Sequence, residues 1–277
     1  MKCVEKDKIE LSDVLLPDLF ITNYMTGLDE HSLKIYLCMK FLSKNSMDVK
    51  DEEIAKKVGI SKVEYEKAIK LLETEELIVK LKIEDAALFG RKLIMNRVYT
   101  VSYTENSFTV SDTVTNEADT ESPYMILYHC NMGYPLLNKN SILKIPNNSI
   151  TARNEHAKDY IKTALQMEKP QAGYEECCYY YDVKENDGTA KVGIFNGDIS
   201  KGLVMDYDKI NLPCFTEWKM MGKTDYVLGL EPGNCTPDGR DVLRKNGTLK
   251  FLQPDERATT TVKFTFTTEL KDFEGAF

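Results

Sequence analysis

The chain has 277 residues, 42% hydrophobic and 29% charged, with a net charge of −8. This length allows one large or two ordinary domains, and the composition is that of a globular protein, not a disordered or fibrous one. No apolar run approaches the ~20 residues of a membrane span, and the start MKCVEKDKIELSD has no apolar signal core, so a cytoplasmic protein without membrane contact is expected. The seven cysteines are scattered and form no C-x-x-C pair, which fits that compartment. Residues 1–85 hold fourteen lysines, no arginine and eighteen acidic residues, and the remainder is acidic by the same margin. Neither part has the basic excess of a protein that holds nucleic acid mainly through phosphates.

Residues 28–82 read as helices. DEHSLKIYLCMKFLSK places Leu33, Tyr36, Leu37 and Phe41 near a 3.6-residue period. DEEIAKKVG is a short helix closed by Gly59. Ser61 and Glu64 then form a capping box that opens SKVEYEKAIKLLETEE, with Tyr65, Ala68, Ile69 and Leu72 on one face. ELIVKLKIED alternates as a strand does. Helix, short helix, longer helix and strand is the order of a winged helix-turn-helix. Its second helix offers Lys62, Lys67 and Lys70 beside five glutamates and no arginine for a bidentate guanine contact. A protein-contact module and a weak DNA binder are equally good readings of that face.

From about Phe89 the pattern changes to strands, with a domain boundary placed between residues 84 and 85. RVYTVSYTENSFTVSDTVTN alternates around a turn at Glu105–Asn106. AKVGIFN, KGLVMDYD, DYVLGLE, LKFLQP and TTTVKFTFTT follow between Asn/Asp/Gly/Pro turns. The fold class expected is a two-part α+β chain: a winged helix over residues 1–84, then a mainly antiparallel β-sandwich over residues 85–277.

Chemistry-bearing residues are few. Cys177 and Cys178 are adjacent and read as thiols on opposite faces of one strand. His31 and His156 lie in polar contexts, whereas His129 sits in the apolar run MILYHCNMGYPLL, suited to a core hydrogen bond or to proton transfer. Trp218, the only tryptophan, is flanked by Glu217 and Lys219; it suits the apolar face of a sugar or half-burial on a sandwich. In VLGLEPGNCTPDGR, Glu231 ends an apolar strand before Pro232 and Gly233. Arg240 either reaches a ligand hydroxyl or pairs with Asp238 or Asp241.

Two resemblances organise these residues. VLLPDLFITNYMTGLDEHSLKIYLCMKFL with the helices after it resembles the N-terminal winged-helix domain of DnaD-like replication-initiation proteins. That implies oligomer or replication-protein contacts, and weak DNA contact, through residues 1–84. LYHCNMGYPLL, AGYEECCYYYDV, FTEWKMMG, YVLGLEPGNCTPDGRDVLR and LKFLQPDE resemble the C-terminal part of an aldose 1-epimerase-related family with the galactose-mutarotase-like fold. The resemblance implies interconversion of sugar anomers with no metal or cofactor, Glu231 as base and His129 as acid. It implies Asn131, Lys219, Asn234 and Arg240 as sugar contacts, beside Trp218. It assigns nothing to Glu175 or Glu176. The two catalytic groups are expected to face each other across roughly 5–8 Å, each in reach of its own sugar oxygen. The family's N-terminal half has no counterpart in this sequence, so impaired or lost activity is expected, and the exposed face is covered by the helical segment, covered by self-association or another protein, or left to poor folding.

Overall fold

The computed structural model describes residues 25–44, 51–74, 79–86, 90–101 and 105–277. The chain divides into two compact units, residues 1–78 and 79–277. The segment VLLPDLFITNY and residues 87–89 of the expected linker lie outside the described residues.

The first unit holds α1 (Glu30–Lys44), α2 (Asp51–Val58) and α3 (Lys62–Thr74). Asp29 starts α1 by accepting the Ser32 amide at 2.7 Å. Its most buried residues are Ser32, Ile35 and Tyr36, while Leu33 and Leu37 are half-buried, so the inward face is rotated from the one the periodicity predicts. The Phe41 side chain lies outside the described ones. Gly59, at φ +74°, ends α2. The capping box forms as expected: Glu64 accepts from the Ser61 amide at 2.8 Å, and the Glu64 amide donates to Ser61 Oγ at 3.3 Å. Tyr65, Ala68, Ile69 and Leu72 are all buried on α3.

The strand expected as a wing is β1 (Val79–Ala86), and it pairs antiparallel with β2 (Lys92–Val101). β2 continues into β3 (Ser107–Asn116), so β1 is the outer strand of the large sheet. The division between units therefore falls before β1, where the sequence pattern put it near the end of that strand. Among its described residues the first unit is helical only, and a winged helix is not shown.

The second unit continues with β4 (Ser122–Tyr124), β5 (Cys130–Met132), β6 (Ser141–Lys144), β7 (Asn147–Ala152), α4 (Glu155–Asp159) and β8 (Cys177–Val183). Next come β9 (Glu185–Asn186), β10 (Thr189–Asn196), β11 (Lys201–Asp208), β12 (Cys214–Met221) and β13 (Tyr226–Gly233). The chain closes with α5 (Arg240–Lys245), β14 (Lys250–Leu252), β15 (Arg257–Thr267) and α6 (Leu270–Glu274). The large sheet runs β1-β2-β3-β15-β11-β10-β6, with β9 on β10; the smaller runs β5-β13-β12-β8-β7; β14 and β4 form a pair. All these pairings are antiparallel.

One core fills the space between the two sheets. Val192, Ile194, Met205, Tyr207 and Val262 come from the large sheet; Tyr179, Tyr181, Phe215, Leu228 and Leu230 come from the small one. Phe215 stacks on Tyr207 at 5.8 Å and meets Tyr181 edge-on at 6.2 Å. β10 and β11 are buried almost continuously, because Phe273 of α6 packs on Phe195 and Val204 from the other side. No helix among the described residues is long and apolar enough to cross a membrane.

Two charged residues of β12 point into this core. Glu217 is fully buried and accepts from Tyr181 Oη at 2.5 Å, while its Oε1 has no partner. Burial pushes its carboxyl up to about 7, against the Tyr181 hydrogen bond and the Lys219 charge, which pull it down. A carboxyl raised in the folded state stabilises most when protonated, below the ordinary value of 4.5, and that stability is lost as pH rises through about 7. Glu217→Gln should therefore gain on the wild type by about 3 kcal/mol in unfolding free energy between pH 5 and pH 8, as read by denaturant titration. A difference that does not change with pH would contradict this assignment.

Candidate active site

Registers across the small sheet fix which side chains share its outer face, the one turned from the core. Directly opposite residues share a face, and successive residues alternate. Trp218 stands opposite Cys178 and Gly229, and Gly229 opposite Asn131. The Arg153 amide donates to the Cys178 carbonyl at 3.0 Å, which completes the row Arg153–Cys178–Trp218–Gly229–Asn131. Beside it, Thr216 stands opposite Tyr180 and Glu231, and Tyr180 opposite Thr151. The β5–β13 register runs on to the bridge Leu127–Gly233 and so sets His129 opposite Glu231. The second row is Thr151–Tyr180–Thr216–Glu231–His129.

Glu231 and His129 are thus brought together, but not across a gap. His129 Nε2 lies 3.1 Å from Glu231 Oε1, against the expected 5–8 Å. The Glu231 side chain is 2% exposed and that of His129 is 49% exposed. The imidazole is within reach yet not aligned for a hydrogen bond, and Oε1 is a buried acceptor without one. Thr216 Oγ1, one strand away, is also buried without a partner. Unpaired buried polar atoms are rare in folded proteins, and two of them lie on this one face. Burial raises the Glu231 carboxyl above its ordinary range, with the nearby His129 charge opposing.

Gly229 makes this geometry feasible. The Glu231 side chain folds back over it, and a methyl group there would collide with Oε1 and come within 3.2 Å of Trp218 Cβ. Its role is close approach, since its φ is not in the left-handed region. His129 is positioned by its neighbours. The Tyr128 amide donates to the Pro232 carbonyl at 2.9 Å, and its hydroxyl donates to Asp112 Oδ2 at 2.6 Å inside the sandwich. Trp218 is half-buried, meets His129 edge-on at 5.6 Å, and donates its indole N–H to Glu176 Oε2 at 2.6 Å. Glu176 thus orients the indole, a role the sequence did not reveal. Cys177 faces the core and Cys178 the outer face, as alternation predicts.

Two expected sugar contacts are corrected. Lys219 lies on the inner face, 2% exposed, with its ammonium on the Thr163 and Gln166 carbonyls and Glu168 Oε1 at 3.3, 2.6 and 3.1 Å. It is a neighbour of Trp218 in sequence, so it must point the other way. Asn234 is buried and spent on backbone: Oδ1 accepts from the Ile126 amide at 2.9 Å and Nδ2 donates to the Tyr124 carbonyl at 3.2 Å. It holds the segment leading to His129. Asn131 is exposed on the outer face, and Arg240 is exposed at the start of α5. Asp238, one of the two acids offered as partners for Arg240, pairs with Arg153 at 3.4 Å. His156 lies beside Glu175 at 3.8 Å and packs on Tyr160.

Among the described residues no group of three or more His, Cys, Asp or Glu is arranged to hold a metal. A depression of about 590 Å³ lies on the other sheet, lined by residues that include Glu105, Lys191, Asp206 and Lys263. Lys191 pairs with Asp206 and Lys263 with Glu105 there, and it holds none of the groups above.

Comparison with known proteins places this architecture. The family model described as Domain of unknown function (DUF4432) matches residues 56–266, beginning inside α2. A candidate aldose 1-epimerase from Klebsiella pneumoniae subsp. pneumoniae MGH 78578 is similar at 25% identity and a TM-score of 0.68, over 72% of this chain and 52% of that one. A galactose mutarotase related enzyme from Lactobacillus acidophilus is similar at 12% identity and a TM-score of 0.51, over 70% of each chain. A galactose mutarotase-like protein from Clostridium acetobutylicum is similar at 15% identity and a TM-score of 0.50, over 69% of this chain and 62% of that one. The last two likenesses bear on the fold alone. The chain spans about half the length of the Klebsiella protein. No curated protein matches it. The fold is that of the galactose-mutarotase-like sandwich; the DnaD-like resemblance is not shown.

Proposed function

This chain belongs to the family described as Domain of unknown function (DUF4432), and from that premise we propose that it binds a free aldose and interconverts its α and β anomers. Glu231 is the general base and His129 the general acid. One observation carries the reading: a buried carboxylate oxygen with no hydrogen bond lies 3.1 Å from a half-exposed imidazole. The description of the Klebsiella relative as a candidate aldose 1-epimerase supports it.

The chemistry accounts for the short separation. Glu231 takes the proton from the C1 hydroxyl while His129 gives one to the ring oxygen. The C1–O5 bond breaks as the C1 carbonyl forms; C1–C2 rotates, and the ring oxygen adds to the other face in reverse. O1 and O5 are bonded to the same carbon, so their two partners need not stand a ring's width apart. The raised carboxyl is a stronger base than an ordinary carboxylate, which narrows the mismatch with a sugar hydroxyl. Trp218 packs on an apolar ring face, and Asn131, in its row, meets a hydroxyl. Arg240, exposed at the start of α5, is a further contact.

Exchange between α and β signals of glucose, galactose and other free hexoses, followed by proton NMR, tests this. Rates above buffer are expected for at least one sugar. Rates equal to buffer for every hexose offered would reject the enzymatic reading.

A further inference from the structure

The far half of the same face carries a second polar cluster that this chemistry leaves unused. Asp238, in the loop between β13 and α5, accepts from Tyr180 Oη and Thr236 Oγ1, each at 2.7 Å, and pairs with Arg153 Nε at 3.4 Å. Its loop leaves β13 and reaches β8. Tyr180 shares the Glu231 row with only Thr216 between them, two strand spacings or about 10 Å along the sheet. Arg153 lies in the adjacent row, opposite Cys178. The Cys178 thiol is pushed up to about 12 by burial, with Glu231, Asp238 and Glu176 adding to the shift and Arg153 opposing it. One floor position therefore feels both halves of the face at once. The two terminal nitrogens of Arg153 make no hydrogen bond among the described residues, and its side chain is 39% exposed.

We propose that Arg153, oriented by Asp238, is the specificity-determining residue of this face and donates to two adjacent hydroxyls of an uncharged sugar, remote from the anomeric carbon. This rests on the function proposed above. A guanidinium fork suits two neighbouring oxygens, whether of a diol or of an anion. The surrounding charge decides between them. Glu176, Glu231 and Asp238 outnumber Arg153 even with His129 protonated as the acid, so a phosphorylated or carboxylated sugar is repelled where a neutral one is not. Asp238 is a positioning residue: Tyr180 and Thr236 hold it, and it holds the guanidinium by Nε so that the outer nitrogens face away from it.

The test measures anomer exchange and saturation-transfer binding for free hexoses and their 6-phosphates, using wild type, Arg153→Ala, Arg153→Lys and Asp238→Asn. Arg153→Ala should raise KM for the free hexose about tenfold or more, with a smaller change in kcat, as expected on losing hydrogen bonds to a charged donor. Arg153→Lys should fall between, and Asp238→Asn should move KM in the same direction. The 6-phosphates should bind more weakly than the parent sugars. If wild type turns over a hexose and Arg153→Ala leaves its KM unchanged, this proposal fails while the function stands. Tighter binding of 6-phosphates that is lost in Arg153→Ala also overturns it. If wild type neither binds nor converts any sugar, the function fails first and this falls with it.

Discussion

Replacing Glu231 by Gln is expected to bring anomer exchange down by about 10²–10⁴-fold, the usual worth of a positioned general base, and so to the rate of buffer. Folding should survive. The wild-type carboxylate is buried, its Oε1 has no hydrogen bond, and burial raises its carboxyl. A neutral amide of the same shape removes that desolvation cost, so the melting temperature should stay level or rise. Loss of activity together with a lower melting temperature would point to a structural carboxylate instead. The pH profile gives a second readout. Glu231 must be ionised to act, so activity should fall as pH drops through a value above the 4.5 of an ordinary glutamate. An acidic limb at or below that value would contradict the geometry.

Gly229→Ala is the second large effect. The added methyl collides with the carboxylate oxygen and crowds Trp218 Cβ, so Glu231 must swing out of place. A displacement of about 1 Å at a reacting group can cost on the order of 10²-fold, and a loss of that size in kcat is expected with the sandwich intact. Trp218 is the sole tryptophan, so a shift in intrinsic fluorescence should accompany it. In a Gly229→Ala, Glu231→Gln double variant the two losses should not add, because both remove the same base. Additive losses would mean that Gly229 acts by some other route.

Much of this was legible in the chain. Alternation gives most of the sandwich strands, the capping box gives the start of α3, and the quoted blocks single out Glu231 and His129, which lie side by side. The pairing of Trp218 with Lys219 was a misreading that the sequence itself forbade, since adjacent strand residues face opposite ways and only one can meet a ligand. Glu217 and Lys219 instead share the core side. The purpose of Gly229 depends on the back-folded rotamer of Glu231, which no sequence pattern encodes. Arg153 and Asp238 lie far apart in the chain and meet only through sheet order. The alternation in ELIVKLKIED marks a strand but not its partner β2, because local pattern sets conformation and leaves pairing open.

The small sheet ends at β5, a three-residue strand held on one side only, by β13. β13 itself is braced by neighbours on both sides. Fixity is therefore graded between the two partners: the carboxylate rides on the interior of the sheet and the imidazole on its rim. When a sugar ring opens, the hydroxyl carbon stays close while the released oxygen swings away on its own arc. On the function proposed above, the partner that meets that moving oxygen stands at the sheet's rim beside solvent, and the partner of the C1 hydroxyl stands inside it.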